Sequence, residues 1–571
     1  MPYPVGVVPD PLATEGSEMP RWEAFQLDHE VVRDQIEHGN LDYVEVASEV
    51  AETEFFRHLF SATPWENLVA TFPNPRRKEE VPVWLYLSSQ ITLRLHAATG
   101  YGAYPYVMHC GGLKEVLGEQ QVRWKEDPET GRWRLECQGY NDKNSNARCT
   151  PCDPDFLRKL ARDTPTDALQ HWFGRAVPQY IRDVGLWDDE GIVLADGSYL
   201  FVPDNEKYEN SCVMRFDEHN HPVDREKLSE QELKRTRLRR CYRMVNLLHT
   251  NRRRDFGMYL GVRLGSGKLA EAPQLLPMIT ELHDAIGKNR VKLVIHDRGF
   301  IDGRTVRELK LKGIDSLFPL RKDMLDYQDA WRLAETDGRP WQVWKPPAPP
   351  PTAAPVQRPE AIRAREAKRQ RTLAAKKAEE PPPVRTDRVE MKLIPQMSLW
   401  ENCGIPLQVV VARKHRTDGT CKEWALAITR DTQDALEVWD LYGIRHEIEE
   451  KHRQSKCYWD LSAFRAPNYG LVVNQVVFTL LAYTLMQVFL EKNDRKDLTR
   501  ATRERMCQGL LPRGDKIAAY AAHHVALLTA AQYGDWLLGA SEGARRRLRG
   551  RLRALERQRC TPPELPLRDD P

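Results

Sequence analysis

The chain has 571 residues, more than one hydrophobic core normally organises, so two to four domains are expected. Hydrophobic residues make up 41% and charged residues 29%, which excludes a membrane-embedded or wholly disordered protein. Lys and Arg number 85 against 82 Asp and Glu, a net charge of +3; nucleic-acid binding by bulk charge is excluded, and any such binding needs clustered basic residues.

Met1 to Glu23 is proline-rich and acidic and lacks the basic start and apolar run of a signal peptide. With 11 cysteines, an odd count, this points to reduced thiols in a cytoplasm. From Asp28 to about Gly118 apolar residues recur at helical intervals, as in Glu45 to Leu59 and Leu85 to Ala98. Gln121 to Asp155 reads as a hairpin or small knuckle. Its Cys137, Cys149 and Cys152 offer part of a zinc spacing, but no second C-x2-C or H-x3-H follows, and reduced structural cysteines are the simpler reading.

Two short runs rich in β-branched residues read as buried strands. Ile192 to Ala195 closes on Asp196, and Val291 to Ile295 on His296 and Asp297. Asp302 to Lys312 then reads as a helix with Asp302 as N-cap and Gly313 as stop, followed by a strand at Ser316 to Leu320. A carboxylate closing a buried strand is costly unless paired or metal-bound, the plain alternative being a cap or loop aspartate. Between the two aspartates, Lys234 to Arg254 is strongly basic and ends in Arg252, Arg253 and Arg254. Gly265-Ser266-Gly267-Lys268 misses a phosphate loop at both Val262 and Leu269.

Lys345 to Arg388, bracketed by proline runs, reads as an extended linker around a solvated helix. Met391 to Thr429 alternates around a turn at Asp418-Gly419 and reads as a small β region. Helices are expected from Thr432 to the end. Leu471 to Leu490 contains Asn474, Gln475, Thr479, Thr484 and Gln487, so a buried core helix is expected rather than a membrane span. Arg545 to Arg559 holds eight arginines in fifteen residues.

On one helix begun at Asp431, with about 100° per residue, Arg445, Glu449 and Lys456 fall at roughly 300°, 340° and 320° from Tyr442. All four then share one face, beside an apolar stripe of Leu441, Ile444 and Ile448. A carboxylate among cations suits a site for metal and phosphate; the plain alternative is a solvated charged face.

The pattern Tyr442-x2-Arg445-x3-Glu449-x6-Lys456, with Asp196-Gly-Ser and Asp297-Arg-Gly-Phe, resembles the DDE transposases of bacterial insertion sequences, in the insertion-sequence-four group, over roughly Leu194 to Gln487. The resemblance implies an α/β fold: an RNase H-like catalytic domain interrupted by a β-rich insertion and flanked by helical N- and C-terminal regions. On that reading residues 1–165 bind element ends, 166–330 and 431–495 form the catalytic domain, 331–430 are the insertion, and 496–571 are a basic helical region.

It further implies Asp196, Asp297 and Glu449 as catalytic acids holding two Mg²⁺ (or Mn²⁺) ions, with Asp196 bridging them. Two such ions about 3.5–4 Å apart activate an attacking oxygen and stabilise a leaving one. Tyr442, Arg445 and Lys456 are implied to grip phosphates, and a Trp among Trp331, Trp341, Trp344 and Trp400 to hold a flipped base. Water attack would free a 3′-OH, which forms a hairpin and later joins target DNA. The implied partners are double-stranded element ends and target DNA, handled by a homodimer at the bacterial nucleoid in the cytoplasm, with no membrane. The basic clusters, Arg252, Arg253 and Arg254 among them, would touch phosphates unless they are merely solvated helix surface. The rivals are a related nuclease that does not integrate, and a non-catalytic DNA-binding protein on the same fold.

Overall fold

The computed structural model describes residues 26–47, 51–104, 107–108, 112–117, 122–126, 128, 133–140, 150–344, 386–398, 400–501, 516–522 and 524–557. They form a mixed α/β structure in two compact units, one of Met1–Val291 with Glu447–Pro571, the other Lys292–His446. The proline-rich stretch from 345 to 385, expected to be a linker, lies outside the described residues.

The first unit opens with β1 (Gln26–Leu27), a helix at His29–Glu37 capped by the Asp28 carboxylate, and β2 (Tyr43–Ala47). The helix expected from Glu45 starts instead at Ala51, because Tyr-Val-Glu-Val-Ala alternates with the period of a strand. After helices at Trp65–Ala70 and Val83–Leu95 comes the expected hairpin, β3 (Val122–Glu126) with β4 (Trp133–Cys137). Helices Pro154–Asp163 and Thr166–Asp183 lead into β5 (Ile192–Val202), β6 (Cys212–Phe216), β7 (Arg237–Thr250) and β8 (Met258–Ser266). One edge of β7 pairs antiparallel with all eleven residues of β5, and its other edge with β6 and then β8. That unbroken ladder carries β5 through Asp196-Gly197-Ser198, so Asp196 lies mid-strand and not at a strand end as expected. Likewise Arg237, Arg239, Arg240 and Arg243 lie on a strand and not on a helix surface.

In the second unit β9 (Leu293–His296) and β10 (Asp315–Pro319) run parallel on either side of the expected helix, Gly303–Leu311. Asp302 caps it by accepting from the Thr305 amide at 2.9 Å, and Gly313 ends it at φ +77°. Then β11 (Gln342–Trp344), β12 (Thr386–Met397), β13 (Leu407–Arg416) and β14 (Cys421–Ile428) complete a sheet ordered β11-β12-β13-β14-β10-β9. The expected β region is therefore three long strands that continue the sheet of β10. Its core gathers Val306, Phe318, Trp331, Ile394, Val409 and Ala425.

Returning to the first unit, helix Tyr469–Lys492 is long and apolar enough to cross a membrane, yet 94% of its apolar window is buried against the unit's other helices. Its polar groups are used there: Asn474 donates to the Tyr86 hydroxyl at 2.9 Å, and Thr484 accepts from the Tyr259 amide at 3.1 Å. Helices do not run unbroken to the end. Strands β15 (Lys516–Ala521) and β16 (His524–Thr529) form a hairpin that joins β1 and β2 in a four-stranded sheet ordered β1-β16-β15-β2. The arginine-rich helix, Glu542–Arg557, buries Ala544 and Leu548 and exposes Arg546, Arg547 and Arg549.

His249 on β7 is fully buried with both ring nitrogens engaged. Its Nε2 accepts from the Asp188 amide at 3.0 Å, so Nδ1 carries the proton and donates to the Ile192 carbonyl at 3.0 Å. Burial pushes its pKa down to about 4. The unfolded chain therefore takes up this proton first as pH falls, and stability is full above about pH 6.5. Between about pH 6.5 and 4 the wild type is expected to lose up to about 1.4 kcal/mol per pH unit relative to His249→Phe, read from paired urea melts.

Candidate active site

In the first unit, β5 and the helix His446–Tyr458 meet at two points. His452 Nδ1 lies 3.4 Å from Asp196 Oδ2, and Lys456 Nζ donates to Ser198 Oγ and to the Tyr199 carbonyl at 2.9 Å. Two residues along a strand advance about 6.6 Å. Four along a helix advance about 6 Å. Asp196 and Ser198 on one side of β5 thus match His452 and Lys456 on one face of the helix. Glu449 sits on that same face, one turn before His452, and is exposed.

Asp196 is itself only 14% exposed. Burial pulls the Lys456 ammonium down to about 8, opposed by Asp196 and reinforced by Arg243. Next to Asp196, Gly197 leaves room for the ion pair of Arg243 and Glu271, whose carboxylate would collide with any Cβ at that position. The Arg243 guanidinium also lies 4.0 Å over the Tyr199 ring.

The helix carries three acids with different employment. Glu447 is 2% exposed and is paired with Lys451 at 3.3 Å and Arg500 at 2.7 Å. Burial lowers the Lys451 pKa against the pull of Glu447. Glu450 binds Arg453 through two bonds of 2.7 and 2.6 Å, which hold its carboxyl below the usual range. Glu449, the signature acid, is the exposed one.

In the second unit Asp297 directly follows β9, as expected, with Oδ1 accepting from the Arg298 amide at 2.7 Å. Arg445 Nη1 lies 4.0 Å from Asp297 Oδ2. Burial pushes the Tyr442 hydroxyl up to about 12, against the pull of Arg445 and with the push of Asp297. His296 is buried, stacked at 4.9 Å on Phe318, and burial holds it down at about 4. The single helix expected to carry all four signature residues is in fact two. Ala435–Gly443, capped by Asp434 and not Asp431, ends at Gly443, and the next begins at His446. Gly443 and β-branched Ile444 are weak helix formers, and the Ile444 and Arg445 amides bond three residues back. The angular positions expected for one continuous helix therefore do not apply across Gly443 to His446. Leu441, Ile444 and Ile448 are nonetheless all buried, as the apolar stripe requires.

The remaining candidates are scattered. Arg252 is paired with Glu190 at 3.1 Å, Arg253 is exposed, and Arg254 sits at φ +59° in the turn after β7. Trp331 is buried in the second unit's core with Trp341 and Trp400 packed on it, and Trp344 donates to Asp440 at 3.0 Å. Cys137 and Cys152 are buried, Cys152 lying 3.9 Å from the Tyr104 hydroxyl; Cys149 lies outside the described residues. Among the described residues no three His, Cys, Asp or Glu side chains gather closely enough to hold a metal ion. Sequence reasoning passed over His452 and its partners Asn246 and Tyr259; the signal available was the i, i+3 spacing of His452 from Glu449.

Residues 211–485 match the family model described as a transposase DDE domain. Asp297, Tyr442, Arg445, Glu449 and Lys456 fall inside the matched stretch, and Asp196 lies before it. No curated protein matches the chain. The family match supports a transposase, an enzyme with DNA as its partner, and the mixed α/β structure is consistent with an RNase H-like domain.

Glu447 and Glu449, two residues apart, are expected to separate cleanly in stability. Glu447→Ala strands Lys451 as a buried unpaired charge and is expected to cost about 3–5 kcal/mol. Glu449→Gln is expected to stay within about 0.5 kcal/mol of wild type. Guanidinium unfolding of the two variants checks this.

Proposed function

We propose that the chain is a DNA transposase of the insertion-sequence-four type that moves its element by cut and paste. The observation that carries the reading is the agreement of the matched stretch, 211–485, with the full Tyr442, Arg445, Glu449 and Lys456 signature inside it. Asp196, Asp297 and Glu449 supply the acids. They offer only carboxylate oxygens, the donor type that hard divalent ions such as Mg²⁺ or Mn²⁺ take. When bound, two such ions supply the charge that activates an attacking oxygen and steadies a leaving one.

The chain's own cations do the rest. Arg445 presents a planar fork that suits two phosphate oxygens, and Lys456 presents a point charge. With its pKa near 8, Lys456 remains cationic at neutral pH. Tyr442, with its hydroxyl held protonated, is a hydrogen-bond donor to phosphate. The exposed arginines of the basic clusters add salt-dependent contacts to the DNA backbone. Joining needs both element ends held at once, which favours a homodimer on DNA, working at the bacterial nucleoid.

Glu449→Gln is expected to keep binding a labelled element end while losing cleavage by several orders of magnitude. Normal cutting in Mg²⁺ would remove Glu449 from the acids. Cuts without joining to target DNA would mark a nuclease, and a shift without cuts by the wild type would mark a binding protein. Lys456→Ala is expected to flatten the salt dependence of binding by about one charge. An unchanged slope would take Lys456 off the phosphates.

A further inference from the structure

We infer that His452 is a positioning residue for Asp196, and that Asn246 sets the proton of His452 for that task. The inference rests on reading Asp196 and Glu449 as catalytic acids. His452 is 5% exposed, on the face of its helix that carries Glu449 one turn earlier. Its Nε2 lies 3.1 Å from the amide nitrogen of fully buried Asn246. With the Asn246 amide nitrogen donating to it, Nε2 accepts and the imidazole proton sits on Nδ1. Nδ1 is the atom 3.4 Å from Asp196 Oδ2. Asn246 is in turn the residue of β7 directly paired with Asp196 on β5. Two side-chain contacts and one backbone pairing thus link the three residues across two strands and one helix.

The ring is also flanked by an aromatic neighbour. It lies nearly parallel to Tyr259, 6.3 Å between centroids and 12° between planes, and the Tyr259 hydroxyl meets Ser455 of the same helix at 3.1 Å. A donor fixed in this way limits the orientations of the Asp196 carboxylate and ties the strand of one acid to the helix of another. Groups that orient a ligating side chain typically change metal affinity 10–100-fold when removed.

The test compares His452→Phe, which keeps the ring and loses the donor, with His452→Asn, whose amide nitrogen takes the place of Nδ1. Asp196→Asn is the reference. Two quantities are read: calorimetric Mn²⁺ binding to the DNA-free protein, and the Mg²⁺ concentration for half-maximal cleavage of an element end. His452→Phe is expected to weaken Mn²⁺ binding about 10–100-fold and to raise the Mg²⁺ requirement in step, with most of the loss restored in His452→Asn. Wild-type values for both in His452→Phe, with Asp196→Asn inactive, would overturn the inference and leave the catalytic reading standing. Wild-type behaviour of Asp196→Asn would overturn the catalytic reading itself. Should His452→Phe fail to fold, Asn246→Leu releases the Nδ1 proton and is expected to weaken Mn²⁺ binding in the same direction; unchanged binding there would overturn the inference equally.

Discussion

A carboxylate in the middle of a mostly buried strand is the constraint around which the first unit is arranged. Asp196 follows four fully buried residues and is itself largely shielded. A charge so placed is expensive unless neighbours compensate it. The compensation comes from a helix far along the chain, through His452 beside the carboxylate and Lys456 bound two residues further down the strand. Because the strand's two-residue step nearly equals the helix's four-residue step, both contacts are made without bending either element. The same match fixes which face of the helix looks toward β5. Glu447 and Glu450 are consumed by Lys451, Arg500 and Arg453.

Local signals in the sequence were strong wherever short-range chemistry decides structure. The cap at Asp302, the stop at Gly313, the hairpin around Gly419 and the strand before Asp297 follow from the preferences of a few adjacent residues. They were misleading where pairing partners lie far away. Asp-Gly-Ser at 196–198 has turn-like composition, yet the β7 ladder holds it extended. The helix break at Ile444 and Arg445 was hidden because the Tyr442 to Lys456 spacing, read alone, is compatible with one continuous cylinder. Strands β15 and β16 fall where helices were expected, and their partners β1 and β2 lie at the other end of the sequence.

The same contrast applies to the site. The signature residues drew attention by type and spacing, since acids and cations at fixed intervals carry chemistry that few folds require for packing. His452, Asn246 and Tyr259 did not, because a buried histidine, amide and phenol are ordinary core residues by composition. Only the pairing of β5 with β7 and the seating of the helix place Asn246 opposite Asp196 and His452 beside it, with Tyr259 stacked on the imidazole. Tyr442, Arg445 and Asp297 form a second local group whose character is set by burial of the phenol and the approach of the guanidinium.

The terminal sheet has a consequence for how the chain is made. Strand β2 pairs with β15, and β1 with β16, although nearly the whole polypeptide separates them. Val32, Ile36 and Leu41 share their core with Ala519, Ala526 and Leu528. During synthesis those early residues emerge long before their partners exist, so this layer must be the last to close, and loop-closure entropy makes that step slow. For most of translation a greasy face near the start of the chain stays open to chaperones and proteases, and a ribosome that stalls before β15 leaves a product whose first strands have nowhere to go.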